Sequence, residues 1–238
     1  MKIVILCGGL GSRLSEETRV IPKPMVKIGS LPIIRHIINY YMSFGFNEFI
    51  LATGYKKNIL ENYFKKEKKN IKCIFTGKST LTGGRLKRLS QYFSNGEDFM
   101  LTYGDGLSNV NLKKLLNFHK KHKKIATLTS VKPPARFGEV FISGNRVSKF
   151  EEKSQLNQNW INGGFFVFKK EIFEYIKNDH TMLEREPFLK LTKKKELMAF
   201  RHKGFWQCMD TMRDKNILKK LIKEKKAPWL NQKKKKKF

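Results

Sequence analysis

A chain of 238 residues, 40% of them hydrophobic, is long enough to bury a full core, and one domain is the expectation. No uninterrupted apolar stretch reaches bilayer length, and with Met1 leading straight into the first apolar run no signal peptide is expected. The formal charge of +30 attracts anions, but the lysines are scattered without interleaved aromatics, which argues against nucleic acid as the partner and favours anionic small molecules.

Cys7, Cys73 and Cys208 are odd in number and far apart, so neither a disulfide framework nor a zinc site is indicated. A reducing cytoplasm is the expected setting.

Ile3 to Leu6 form an apolar run of the kind that makes a strand buried on both faces. Gly8, Gly9 and Gly11 follow at once, where the backbone can bend sharply and turn several N–H groups toward an anion. Ser12 adds a hydroxyl donor, Arg13 a charged fork, and Lys23 an ammonium held between Pro22 and Pro24. The stretch reads as a polyphosphate cradle with two cations aimed into it. It is neither the dinucleotide fingerprint nor a P-loop, because the glycine spacing fits neither.

Apolar residues at Ile33, Ile34, Ile37, Ile38, Tyr41 and Met42 predict a helix over 32–44, with Gly45 at its C-terminal cap. Strands are expected at 48–53 and 71–75, with a short helix over 57–64 between them. This alternation predicts an α/β fold: a Rossmann-like, mostly parallel sheet with helices on both faces and ligands at the carboxyl ends of the strands. Thr80 to Leu89 reads as a second ligand loop, where Gly83 and Gly84 let backbone approach a base and Arg85 supplies charge.

A strand over 98–103 ends in Gly104-Asp105-Gly106, which sets a carboxylate where it can reach a hard cation such as Mg²⁺. Asn111 caps a helix through His119, and His119 and His122 read as satisfied side chains. A strand at 125–131 precedes a hairpin, 139–142 and 146–150, around Ser143-Gly144-Asn145. Helices are expected at 172–176 and 186–191 and a strand at 196–200. Trp206 reads as core, Asp210 as the cap of a helix over 211–223, and the basic tail over 230–238 as disordered.

Gly8-Gly9-Leu10-Gly11-Ser12-Arg13-Leu14 followed by Pro22-Lys23-Pro24-Met25 resembles the signature of the sugar-1-phosphate nucleotidylyltransferases. Thr82-Gly83-Gly84-Arg85-Leu86-Lys87-Arg88 and Gly204-Phe205-Trp206-Gln207, with Met209-Asp210-Thr211, are similar to the cytidylyl branch. The resemblance runs from Met1 to Trp229 as one domain, 1–229. It implies that CTP and glucose 1-phosphate give CDP-glucose and pyrophosphate, for deoxysugars of bacterial surface polysaccharides such as O-antigen. It implies Mg²⁺ on Asp105 and Asp210, and catalytic roles for Arg13, Lys23 and Asp105. Leu6, Cys7, Gly8, Gly9, Leu10, Gly11, Ser12, Arg13, Lys23, Thr80, Arg85 and Gly104 would hold the nucleotide. Glu152 and Lys153, just after the hairpin, with Asn162 and Gly163, would hold the sugar phosphate. The resemblance also implies a homo-oligomer, commonly a hexamer, although the stretch from Tyr63 to Thr76 is shorter than the family's. Cys7 stands where Ala is usual, and Ser154 where many relatives have Pro.

Overall fold

The computed structural model describes residues 1–67, 70–134, 138–152 and 159–230. In chain order its strands are β1 (Lys2–Cys7), β2 (Lys27–Ile28), β3 (Leu31–Pro32), β4 (Glu48–Thr53), β5 (Ile71–Phe75), β6 (Asp98–Tyr103), β7 (Gly106–Ser108), β8 (Ala126–Val131), β9 (Glu139–Ser143), β10 (Arg146–Glu151), β11 (Ile161–Lys169), β12 (Leu197–His202) and β13 (Trp206–Cys208). Its helices are α1 (Ser15–Thr18), α2 (Ile33–Ser43), α3 (Lys57–Tyr63), α4 (Thr82–Lys87), α5 (Leu112–His122), α6 (Glu186–Lys193) and α7 (Met212–Lys223).

The buried apolar runs become the middle of a seven-stranded sheet ordered β12-β8-β11-β6-β1-β4-β5. All neighbours are parallel except β11, which is antiparallel to both β6 and β8. Side chains alternate across β1. Ile3, Ile5 and Cys7 enter a core layer with α2, α5 and α7, while Val4 and Leu6 enter a second layer with Leu86, Leu89, Phe188 and Leu191. Helices therefore cover both faces, as the alternation of elements predicts. The strand β1 has β4 on one side and β6 on the other. The chain reverses its direction of growth there, and the crevice above the carboxyl ends of β1 and β6 is where such sheets take ligands.

Local signals decide most element ends. The helix expected over 32–44 runs Ile33–Ser43, and Gly45 follows at φ +89°. Asn111 accepts from the Lys114 N–H and starts α5. The hairpin forms as β9 and β10 but stands apart from the main sheet. One helix differs in type: residues 170–175 make a 3-10 turn, with Ile172 and Phe173 buried beneath it. Of the basic tail, only Leu230 lies within the described residues. No helix among those residues is long and apolar enough to cross a membrane.

His119 and His122 converge on one hydroxyl, with His119 Nδ1 at 2.8 Å and His122 Nε2 at 2.7 Å from Thr127 Oγ1. His119 is fully buried, and burial first, then His122, lowers its pKa from 6.5 to about 4. The unfolded chain takes this proton near 6.5, so the stability is present above that value and is lost as pH falls toward about 4. The loss is on the order of 3 kcal/mol for this buried group. Urea midpoints at neutral and mildly acidic pH for the wild type and His119→Gln check it; equal acid losses in both would exclude His119.

Candidate active site

The cradle begins where β1 runs out. Gly11 adopts φ +69°, ψ +30° and turns the chain into a 3-10 turn at Ser12–Leu14 that presents Arg13. A side chain at Gly8 would place its Cβ 2.0 Å from Arg85 Nη1. Arg85 is 4% exposed and donates to the carbonyls of Gly8 (2.9 Å), Gly77 (2.7 Å), Lys78 (3.2 Å) and Thr53 (3.3 Å), and to Thr76 Oγ1 (3.0 Å). The guanidinium expected to supply free charge is thus engaged with backbone. Arg85 ties the loops after β1, β4 and β5 into one floor, because carbonyls pointing away from the sheet need donors.

Charge is concentrated beside this floor. Lys23, in a 3-10 turn that starts after Pro22, sets Nζ 2.6 Å from Asp105 Oδ2 and 2.6 Å from Asp210 Oδ1. Arg13 Nη1 lies 2.7 Å from Asp210 Oδ2. The two carboxylates meet because β7 pairs antiparallel with β13, Cys208 opposite Gly106, and the Met209 N–H donates to the Asp105 carbonyl at 2.9 Å. Burial alone would lower the pKa of Lys23, but Asp105 and Asp210 outweigh it and the net direction is upward. Lys23 is 12% exposed and Arg13 76%, so the lysine is the preorganised cation and the arginine the mobile one. Burial first, then Asp210 and Asp105, pushes the Cys208 thiol up to about 12, which keeps it protonated and unreactive.

Asp210 does not cap the last helix, contrary to the sequence expectation. Thr211 is the cap of α7, in a capping box with Asp214, and Asp214 also accepts from the Asp210 N–H at 3.1 Å. With the capping supplied by its neighbours, the Asp210 carboxylate faces Lys23 and Arg13 instead.

The far wall is built on α4. Its glycines face protein: a Cβ at Gly84 would lie 2.4 Å from the Asp179 carbonyl oxygen, and one at Gly83 2.8 Å from that of Thr181. The pair therefore admits the loop before α6, where sequence reading had placed a base. Gly84→Ala drives a methyl into backbone that cannot swing aside, and a loss of about 1–3 kcal/mol is expected from overpacking. Thermal unfolding of the variant checks it; an unchanged midpoint would mean the loop is free to retreat. Beyond the glycines, Thr82 donates to Glu184 Oε2 at 2.6 Å, and Tyr103 donates to Glu184 Oε1. Asn162 Nδ2 donates to the Tyr103 hydroxyl at 3.2 Å. Trp206 is half-buried, and its indole N–H donates to the Gly163 carbonyl at 2.8 Å.

These walls enclose a cavity of about 530 Å³ lined by Leu6, Cys7, Gly8, Gly9, Gly11, Ser12, Arg13, Lys23, Thr80, Arg85, Gly104, Asp105, Asn162 and Asp210, and by Thr82, Tyr103 and Trp206, which sequence reasoning left out of the site. Leu10, 62% exposed, does not line it, nor do Gly163 and Glu152. Lys153 lies outside the described residues. A neighbouring cavity of about 340 Å³ shares Arg13, Trp206 and Asp210 and adds Pro133, Pro134 and Arg213. Thr82, Tyr103 and Arg213 carried a usable signal, since each stands within three residues of Arg85, Asp105 or Asp210.

The donor set also bears on a metal. Among the described residues no group of three or more acidic, His or Cys side chains converges, so the protein offers two carboxylates, Asp105 and Asp210. Two carboxylates already gathered around a positive charge fit Mg²⁺, which completes its shell with water and phosphate oxygens.

Residues 2–213 match the nucleotidyl transferase family. The glucose-1-phosphate cytidylyltransferase of Salmonella typhi is 45% identical, over 96% of this chain and 98% of that protein. Mannose-1-phosphate guanylyltransferase 1 of Arabidopsis thaliana is 33% identical, over 90% of this chain and 62% of that one. HddC from Yersinia pseudotuberculosis, solved with GMP-PN, superposes with a TM-score of 0.73 at 25% identity, covering 93% of this chain and 99% of its own.

Proposed function

The chain belongs to the nucleotidyl transferase family, and from that premise we propose that it transfers a cytidylyl group from CTP to α-D-glucose 1-phosphate, giving CDP-glucose and pyrophosphate. The observation that carries this reading is the meeting of Arg13, Lys23, Asp105 and Asp210 at the carboxyl ends of β1 and β6, beside a cavity of about 530 Å³. The 45% identity to a cytidylyltransferase supports the base and the sugar.

A phosphate oxygen of the sugar phosphate attacks the α-phosphorus in line, the α–β phosphoanhydride bond breaks, and its electron pair leaves with pyrophosphate. The chain supplies no nucleophile. Its work is to hold together two anions that repel one another and to offset the charge that builds between them. The loop from Gly8 to Ser12, with Thr80 and Gly104, holds the nucleotide over the floor that Arg85 braces. Lys23, fixed between two carboxylates, is the cation for the α-phosphate or the sugar phosphate, and the exposed Arg13 is the one for the leaving pyrophosphate. Asn162 meets the sugar hydroxyls, with Glu152 and Lys153 assigned to the sugar and its phosphate by resemblance. Asp105 and Asp210 would hold a Mg²⁺ ion, which would supply positive charge to offset that on the phosphates.

Pyrophosphate release with glucose 1-phosphate, Mg²⁺ and each of CTP, UTP, dTTP, ATP and GTP tests the proposal. Release with CTP alone is expected. Release with another nucleotide would keep the chemistry and overturn the base; no release with any would overturn the function.

A further inference from the structure

Glu184 carries two hydrogen bonds that the reaction as described does not use. It stands in the loop before α6, half-buried, and is not among the residues lining the cavity. One oxygen accepts from Thr82 at 2.6 Å, the other from Tyr103. Thr82 opens α4 on the nucleotide side and is itself fixed by the Leu183 N–H at 3.0 Å. Tyr103 ends β6 and accepts from Asn162 Nδ2 at 3.2 Å.

Hydrogen-bond direction follows along this chain. A carboxylate only accepts, so the phenol proton of Tyr103 points at Glu184 and its oxygen must accept from Asn162. At the other end of the amide, Asn162 Oδ1 accepts from the Gly164 N–H at 2.9 Å. Both contacts demand the same amide orientation, which leaves the second Nδ2 hydrogen of Asn162 for a ligand.

From this geometry we infer that Glu184 is a positioning residue: one carboxylate, outside the cavity, fixes the nucleotide wall through Thr82 and the sugar-binding amide of Asn162 through Tyr103. The inference rests on the proposed function, and its test separates the two. Losing one such bond is expected to cost about tenfold in the affinity it supports. Tyr103→Phe raises KM for glucose 1-phosphate about tenfold and leaves KM for CTP near normal; Thr82→Val does the reverse. Glu184→Leu raises both, and adding Tyr103→Phe to it has little further effect on the sugar KM. Should Glu184→Leu fail to fold, Glu184→Gln keeps the shape and one acceptor, and raises only one of the two KM values. A Glu184 variant that lowers the melting temperature with both KM values unchanged would overturn the inference. So would a Tyr103→Phe effect that persists undiminished in the Glu184→Leu background. A wild type that turns over no nucleotide would overturn the functional reading, and this inference with it.

Discussion

Lys23→Met is expected to lower the rate of pyrophosphate release by about 10³-fold or more, since loss of a single preorganised donor to a developing oxyanion costs about 10²–10³ and this donor is charged. The ammonium is 12% exposed and held at 2.6 Å by two carboxylates, so it is desolvated and oriented before any ligand binds. Arg13, at 76% exposure, cannot replace it, because a solvated guanidinium must reorganise during the reaction. The variant should keep the native circular dichroism spectrum, since methionine fills the same stem volume. It also leaves Asp105 and Asp210 without the cation between them, so Mg²⁺ should bind more tightly in the absence of nucleotide, measurable by calorimetry. Near-normal turnover would remove Lys23 from the mechanism.

Asp105→Asn is the second large effect expected. The substitution is nearly isosteric, and the Asp105 backbone carbonyl still accepts from Met209, so the junction of β7 and β13 should survive. What changes is charge: one of two converging carboxylates is lost, and with it an oxygen donor of the kind Mg²⁺ prefers. Turnover should fall by about 10²-fold or more, and the Mg²⁺ concentration giving half-maximal rate should rise. Asp210→Asn should behave alike and also release Arg13, which pairs with Asp210 at 2.7 Å. An unchanged Mg²⁺ titration in both variants would refute the metal assignment.

The two roles read for the glycine-rich stretches fared differently in the structure. In the first stretch the backbone turns at Gly11 with φ +69° and Gly9 has open space around it, while Gly8 makes room for the Arg85 guanidinium. At Gly83-Gly84 the same lack of Cβ admits protein, the backbone of Asp179 and Thr181. A sequence says that something comes close to a glycine and is silent on what. Arg85 and Asp210 make the same point for charge. The guanidinium was legible as a cation near the nucleotide loop, while its burial under Gly8 was not. The Asp210 side chain was legible as a helix cap until Thr211 and Asp214 took that task.

By itself the sequence determined most of the longer helices and main-sheet strands, their alternation, and the gathering of glycine, Asp and Arg residues after strands. Those depend on periodicity, caps and turn chemistry, which act over a few residues and are written locally. Only the tertiary structure decided the partners of the polar groups: Lys23 with carboxylates 82 and 187 residues away, Arg85 with a carbonyl 77 away, Glu184 with hydroxyls 102 and 81 away. The physical reason is that a buried donor must find some acceptor, and which one it finds depends on what the sheet order and its crossovers bring within about 3 Å.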